Sequence, residues 1–329
     1  MIRNKSKLIY TLMISSMLFV SCDNNDDDTS RGNWVDRSVF DGTPRSNAFS
    51  FMIDNYGYMG SGYDGDDYLT DFWQYDMDGD FWVQKAMFPG TPRSSASGFA
   101  IGNKGYAGLG YDGDNELGDF WEYDVATNSW TQKANFAGTP RYEAIGFAGN
   151  GFGYLGTGYD GDNDKKDFWR YNPTTDEWTE LVGFGGQKRR GGIAFNLNDK
   201  IYLGTGESNG LFVDDFWEFD LETEQWTKLR DLDEDDDYRV MRSFGTGFAI
   251  NGLGYIATGY NVGAIGTVWE YSPGTDTWEE VTGLEAAIRQ DAISFSNGTR
   301  GLVLLGRTGN LYLDDNYELF PQELYNEDD

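Results

Sequence analysis

Three features of the sequence predict an all-β, six-bladed propeller closed by its own N-terminal strand. They are a repeat of about 48 residues, period-two alternation within each repeat, and a last repeat whose missing part lies at the front of the chain. The repeat is plainest in "GYDGDDYLTDFWQYD", "GYDGDNELGDFWEYD" and "GYDGDNDKKDFWRYN", which begin at Gly62, Gly110 and Gly158.

Four markers carry the repeat along the chain. A glycine follows an apolar run at Gly62, Gly110, Gly158, Gly206, Gly259 and Gly306. An aromatic follows at Trp73, Trp121, Trp169, Trp217, Trp269 and Tyr317, and a second tryptophan at Trp82, Trp130, Trp178, Trp226 and Trp278. An arginine completes each unit, at Arg93, Arg141, Arg189, Arg242 and Arg289. The insertion "DLDEDDD" delays Arg242. Runs such as "GYLGTG" and "DFWRYN" alternate with period two and are separated by turn signals such as "NPTTD", so each unit supplies four short strands, one propeller blade.

The sixth unit lacks its second tryptophan. Trp34 lies 48 residues before Trp82 and eleven before Arg45, the spacing of a fourth strand followed by a first. The N-terminal strand therefore completes the last blade and removes an open edge that would invite aggregation.

The chain divides into a leader at 1–21, an acidic tether at 22–33 and the propeller at 34–329. The leader has a basic start and an apolar stretch from Leu8 to Val20, the layout of a secretory signal. Leu18-Phe19-Val20-Ser21-Cys22 resembles a bacterial lipobox, which implies lipidation at Cys22. The acidic run after it, "DNNDDD", resembles the export signal of Bacteroidota surface lipoproteins. These resemblances imply an outer-membrane lipoprotein anchored through its N-terminal lipid and facing outward, or alternatively toward the periplasm. Cys22 is the one cysteine, so disulfides are excluded.

With 25 basic and 55 acidic residues the formal charge is −30, which disfavours nucleic acid as a partner. Aromatics at 16% argue against disorder. The chain has no histidine, which removes the usual zinc and haem ligand, serine–histidine triads and the common near-neutral pH switch.

Tyr75-Asp76 with Trp82, Tyr123-Asp124 with Trp130, and Phe219-Asp220 with Trp226 resemble the Kelch repeat, over residues 34 to about 320. The first glycine of the Kelch doublet is replaced by Ser61, Leu109, Thr157, Thr205, Thr258 or Leu305. The resemblance implies a propeller like the central domain of galactose oxidase, whose copper chemistry the absence of histidine excludes. It also brings in the sialic acid mutarotases, six-bladed Kelch proteins with acid/base groups at the mouth. Candidate carboxylates for that chemistry are Glu143, Glu207 and Asp291.

Strand parity puts the "YDGDN" loops and the ring arginines, Arg45, Arg93, Arg141, Arg189, Arg242 and Arg289, on one face. The turns "DMDGD", "DVATN", "NPTTD", "DLETE" and "SPGTD" fall on the other. Asp76, Asp78 and Asp80 mimic the start of a calcium loop but lack its closing glutamate and read as a hairpin turn. Asp64, Asp66, Asp112, Asp114, Asp160 and Asp162 are the candidate calcium ligands; no other cofactor is expected. Tyr63, Tyr111, Tyr159 and Tyr260 join the ring arginines, Glu143 and Glu207 as candidate ligand-binding residues.

The leading expectation is a surface-tethered, non-catalytic module presenting this face to a glycan, a peptide or protein, or another anionic ligand. The alternatives are a carbohydrate-active enzyme of the mutarotase type and a structural component of an envelope lipoprotein complex. For the arginines the competing role is scaffolding, with each guanidinium bound to carbonyls or acids of the fold.

Overall fold

The computed structural model describes residues 31–233 and 239–326. The leader and Cys22 lie outside them. Strand β1 (Arg31–Arg37) starts three residues before the expected propeller boundary, because Arg31 is already paired with Leu324 and bound to Glu270 at 2.7 and 2.8 Å.

Six four-stranded antiparallel sheets follow one another around an axis. Blade one is β2 (Phe49–Ile53), β3 (Tyr56–Gly60), β4 (Phe72–Asp76) and β5 (Phe81–Gln84). Blade two is β6 (Ser97–Ile101), β7 (Lys104–Gly108), β8 (Phe120–Asp124) and β9 (Ser129–Gln132). Blade three is β10 (Ile145–Gly149), β11 (Phe152–Gly156), β12 (Phe168–Asn172) and β13 (Glu177–Leu181). Blade four is β14 (Ile193–Leu197), β15 (Lys200–Gly204), β18 (Trp217–Asp220) and β19 (Gln225–Lys228), with a small hairpin β16 (Glu207–Ser208) and β17 (Leu211–Phe212). Blade five is β20 (Thr246–Ile250), β21 (Leu253–Ala257), β22 (Val268–Ser272) and β23 (Thr277–Val281). Blade six is β24 (Ile293–Ser296), β25 (Gly301–Leu304), β28 (Asn316–Leu324) and β1, with the hairpin β26 (Arg307–Thr308) and β27 (Leu311–Tyr312).

The expected closure is present: β1 pairs antiparallel with β28, Trp34 opposite Leu319 and Asp36 opposite Tyr317. Trp34 is buried, and its indole N–H donates to the Thr282 carbonyl at 3.2 Å, across to blade five.

The core lies between blades. One cluster joins Phe49, Phe51, Tyr58 and Phe72 of blade one to Ala107 and Tyr123 of blade two, with Trp130 packed against it. The rings meet edge to face, as Phe72 and Trp130 do at 4.9 Å. Burying each such side chain contributes about 1.5–3 kcal/mol. Phe51 also explains a glycine: a Cβ on Gly105 would sit 2.0 Å from its ring.

The Tyr-Asp pairs hold the outer hairpins. The hydroxyls of Tyr123, Tyr171 and Tyr271 donate to Asn128, Asp176 and Asp276 five residues on, at 2.7, 2.7 and 2.9 Å. The calcium-loop mimic is indeed a turn, since Asp76 Oδ1 accepts the amides of Asp78 and Gly79 at 2.9 Å each. The residues replacing the first glycine of each doublet all take left-handed backbone, with φ from 58° at Thr205 to 62° at Leu109. The backbone geometry is thus kept without the glycine.

Candidate functional site at the loop-face mouth

Two residues past each ring arginine the chain turns left-handed, at Asn47, Ser95, Glu143, Gly191, Phe244 and Asp291, with φ between 53° and 59°. In that conformation each amide donates to the carbonyl of the equivalent residue one blade back. Ser95 donates to Asn47, Glu143 to Ser95, Gly191 to Glu143, Phe244 to Gly191 and Asp291 to Phe244, and Asn47 closes the hoop by donating to Asp291, at 2.8–3.4 Å. A second hoop lies beside it. Gly62, Gly110, Gly158, Gly206, Gly259 and Gly306 each donate to the carbonyl of the next ring arginine, the last returning to Arg45.

The first hoop borders a cavity of about 180 Å³ into which every blade contributes. Two further cavities of about 260 and 420 Å³ continue it, sharing walls such as Ala48 and Gly98 and lined largely by small residues of the innermost strands. The axis is therefore a channel, and the hoop is its mouth on the loop face. The backbone bridges Ser46 to Tyr63, Ser94 to Tyr111 and Tyr142 to Tyr159 put the "YDGDN" loops on this face, as parity predicts.

The ring arginines do not reach the mouth. Each is fully buried. Arg93 Nε donates to the Thr91 carbonyl at 2.8 Å and one terminal nitrogen to the Leu109 carbonyl at 2.9 Å. The terminal nitrogens grip Asp119 at 2.6 and 2.8 Å, and the guanidinium lies over Phe88, 5.0 Å from its centroid. Arg45 with Asp71, Arg141 with Asp167, Arg189 with Asp215 and Arg289 with Asp315 repeat the ion pair. Trp73, Trp121 and Trp169 add an indole hydrogen bond to the same aspartates at 2.7, 2.7 and 2.8 Å. Blade five departs, since Thr267 stands where the aspartate would be. Among the described residues the hydrogen-bond partners of Arg242 are all neutral, and burial brings its guanidinium down to about 10. The donors of these six residues are occupied by the fold, the arrangement that the scaffolding alternative describes.

Three carboxylates picked out as acid/base candidates do gather at the mouth. Glu143 and Asp291 occupy equivalent hoop positions on opposite blades, three and six, and both border the cavity. Burial pushes the Glu143 carboxyl up to about 8, with the Asp291 charge as the next contributor and Arg190 opposing. One of its oxygens, Oε2, is buried without a hydrogen bond, and its side chain is 17% exposed. Burial also raises Asp291, against the pull of Arg307 and Gln290, which each bond Oδ2 at 2.9 Å. Glu207 sits farther out on β16, where its Oε1 accepts from Arg190 Nε and a terminal nitrogen at 3.1 and 2.9 Å. Arg190 is the hub of this side. Its Nε lies 3.7 Å from Asp164 and 3.9 Å from Glu143, and its guanidinium covers Tyr159 at 4.7 Å.

Tyrosines form an arc around the rim. Neighbouring ring centroids lie 6.0 Å apart from Tyr312 to Tyr63, 4.9 Å to Tyr68, 6.3 Å to Tyr111, 5.3 Å to Tyr142 and 5.6 Å to Tyr159, where Arg190 caps the series. The hydroxyls of Tyr63, Tyr111 and Tyr159 hold their own loops by donating to Gly65, Gly113 and Gly161 at 2.6, 2.7 and 2.8 Å. Those of Tyr68, Tyr142 and Tyr312 make no hydrogen bond among the described residues. Tyr260, on blade five, lies outside the arc.

The loop carboxylates are largely structural. Asp64 Oδ1 accepts the amides of Asp66 and Asp67, Asp112 Oδ1 those of Asp114 and Asn115, and Asp160 Oδ1 those of Asp162 and Asn163. Among the described residues no group of three or more Asp, Glu, Cys or His side chains is placed to hold a metal ion.

Sequence reasoning missed Arg190, Arg307, Tyr68, Tyr142 and Tyr312. The available signal was the "RR" at 189–190, where one arginine follows the repeat and the other breaks it.

No known family and no curated protein matches the chain in sequence. The fold is shared with solved structures. One, described as "Structure of YjhT", has a TM-score of 0.72 and 19% identity, covering 86% of this chain and 96% of that one. This chain is a six-bladed β-propeller of that architecture.

Proposed function

We propose that the loop-face mouth binds a reducing sugar and speeds the exchange of its anomers, on a Kelch-type propeller held at the cell surface by a lipid on Cys22. One observation carries the reading: Glu143 and Asp291 border one cavity from opposite blades, and the Asp291 charge adds to burial in holding the proton on Glu143. Such an arrangement assigns the acid role to one carboxyl and the base role to the other. Glu143 keeps the proton, because its buried oxygen has no hydrogen bond to stabilise the anion. Asp291 is the better anion, since Arg307 and Gln290 bond it.

Anomer exchange suits such a pair. Glu143 gives its proton to the ring oxygen as Asp291 takes the proton of the anomeric hydroxyl, so the ring C–O bond breaks and the carbonyl forms. After rotation, the reverse transfers close the ring on the other face. Nothing is consumed, and each carboxyl returns to its starting state. General acid–base assistance of this kind contributes about 10²–10⁴-fold.

Exchange NMR on freshly dissolved single anomers tests the reading. The protein is expected to speed equilibration, and Glu143→Gln to lower the effect by roughly 10²-fold with binding retained. The tyrosine arc supports a second reading, sugar binding without catalysis. Saturation transfer from the wild-type protein to a sugar whose anomers equilibrate no faster than in buffer would select it.

A further inference from the structure

Resting on that reading, we infer that the mouth admits neutral sugars and turns away sugar acids. Glu143 and Asp291 line the cavity, and ion pairs connect them to Arg190 and Arg307, with Asp164 and Glu207 also on Arg190. Both guanidiniums already have carboxylate partners, Arg190 in Glu207 at 2.9 Å and Arg307 in Asp291 at 2.9 Å. The six ring arginines are buried and bonded within the fold. An incoming carboxylate would therefore find Arg190 and Arg307 already claimed and would face an excess of acids, in a chain of formal charge −30.

A neutral sugar meets suitable chemistry. Its hydroxyls are donors, and Glu143 and Asp291 bring carboxylate acceptors to the cavity wall. Its C–H faces are apolar and match tyrosine rings, whose bodies are apolar and tips polar. Tyr142 is placed for both contacts, being next to Glu143 in the chain and 5.3 and 5.6 Å from its two neighbours in the arc.

The test uses sugar pairs that differ in one carboxylate: D-galactose with D-galacturonate, and D-glucose with D-glucuronate. Anomer exchange and saturation-transfer binding are measured for each at pH 7 and low salt. The neutral member is expected to be favoured at least roughly tenfold, and the gap should narrow in about 0.5 M salt as the like charges are screened. Glu207→Gln, which removes the carboxylate that lies closest to Arg190, should raise D-galacturonate toward D-galactose, an effect that general loss of structure would not produce. Acids handled as well as their neutral partners, or a gap indifferent to both salt and Glu207→Gln, would overturn the inference. Binding of the neutral members with no faster exchange would refute the proposed reaction and leave the charge selectivity standing. Failure of every sugar to bind would overturn both.

Discussion

Replacing Asp119 by threonine gives blade two the arginine environment that blade five already has. Arg93 now donates to Asp119 at 2.6 and 2.8 Å, whereas Arg242 donates to the Thr267 carbonyl at 2.8 Å and its hydroxyl at 3.0 Å. Two hydrogen bonds to a charged acceptor, about 1.5–3 kcal/mol each, become neutral ones of about 0.5–1.5 kcal/mol. Asp119 is 22% exposed, so solvent returns part of the loss, and a net destabilisation of about 2–3 kcal/mol is expected for Asp119→Thr. The mirror change, Thr267→Asp, should stabilise by about 1–2 kcal/mol, since the new carboxylate must itself be partly desolvated. Equilibrium unfolding in urea measures both. A pH series adds a sign. Burial alone would push the Asp119 carboxyl up, but the hydrogen bonds and charge of Arg93 outweigh it and hold it below its ordinary value. Its stabilisation is therefore present above the unfolded carboxylate range near about 3.9 and is lost as pH falls through the folded value. The Asp119→Thr penalty should be full at pH 7 and shrink in strong acid. A penalty below about 0.5 kcal/mol at pH 7 would refute the view that these pairs fasten the blades.

Three further outcomes are expected. Glu143 has the opposite linkage: its folded value is raised to about 8, so ionising it above the ordinary range weakens the fold, and Glu143→Gln should stabilise at pH 9 by about 2–4 kcal/mol and make little difference at pH 4. Thermal melts at the two pH values check this, and equal effects at both would contradict it. Trp34→Ala removes the anchor of the closing strand, is expected to cost about 3–5 kcal/mol, and should increase aggregation on heating, read by light scattering. Cys22→Ala should abolish fatty-acid labelling and membrane association; a mutant that still takes up label would end the lipoprotein proposal.

The blades, their closure and their faces were legible because the markers recur: Trp82, Trp130 and Trp178 announce a blade wherever they stand. The role of the arginines was half legible. Their partners recur as well, at Asp71, Asp119, Asp167, Asp215 and Asp315, 26 residues past each arginine, and aligning the repeats on one another would have revealed the pairs. What no repeat could show is the mouth. Its chemistry sits where the units differ, at Glu143 and Asp291 among Asn47, Ser95, Gly191 and Phe244, and at Tyr142 and Arg190 where other blades have Ser46, Ser94, Ser243 or Gln290. Periodicity reports what every blade needs for packing, and a site made of exceptions leaves no periodic trace.

The closed hoop of amides around the mouth separates support from chemistry. Its hydrogen bonds run from blade to blade around the mouth, so the backbone polar groups of the hoop are spent on one another. Each hoop carbonyl is bonded to its neighbour's amide, and what distinguishes one sector of the rim from the next is a side chain. The backbone takes the same left-handed turn whether the residue is asparagine, serine, glutamate, glycine, phenylalanine or aspartate. Six positions can therefore be rewritten independently on one unchanging frame, and a propeller of this build could acquire a new ligand by substitutions that leave every blade where it stands.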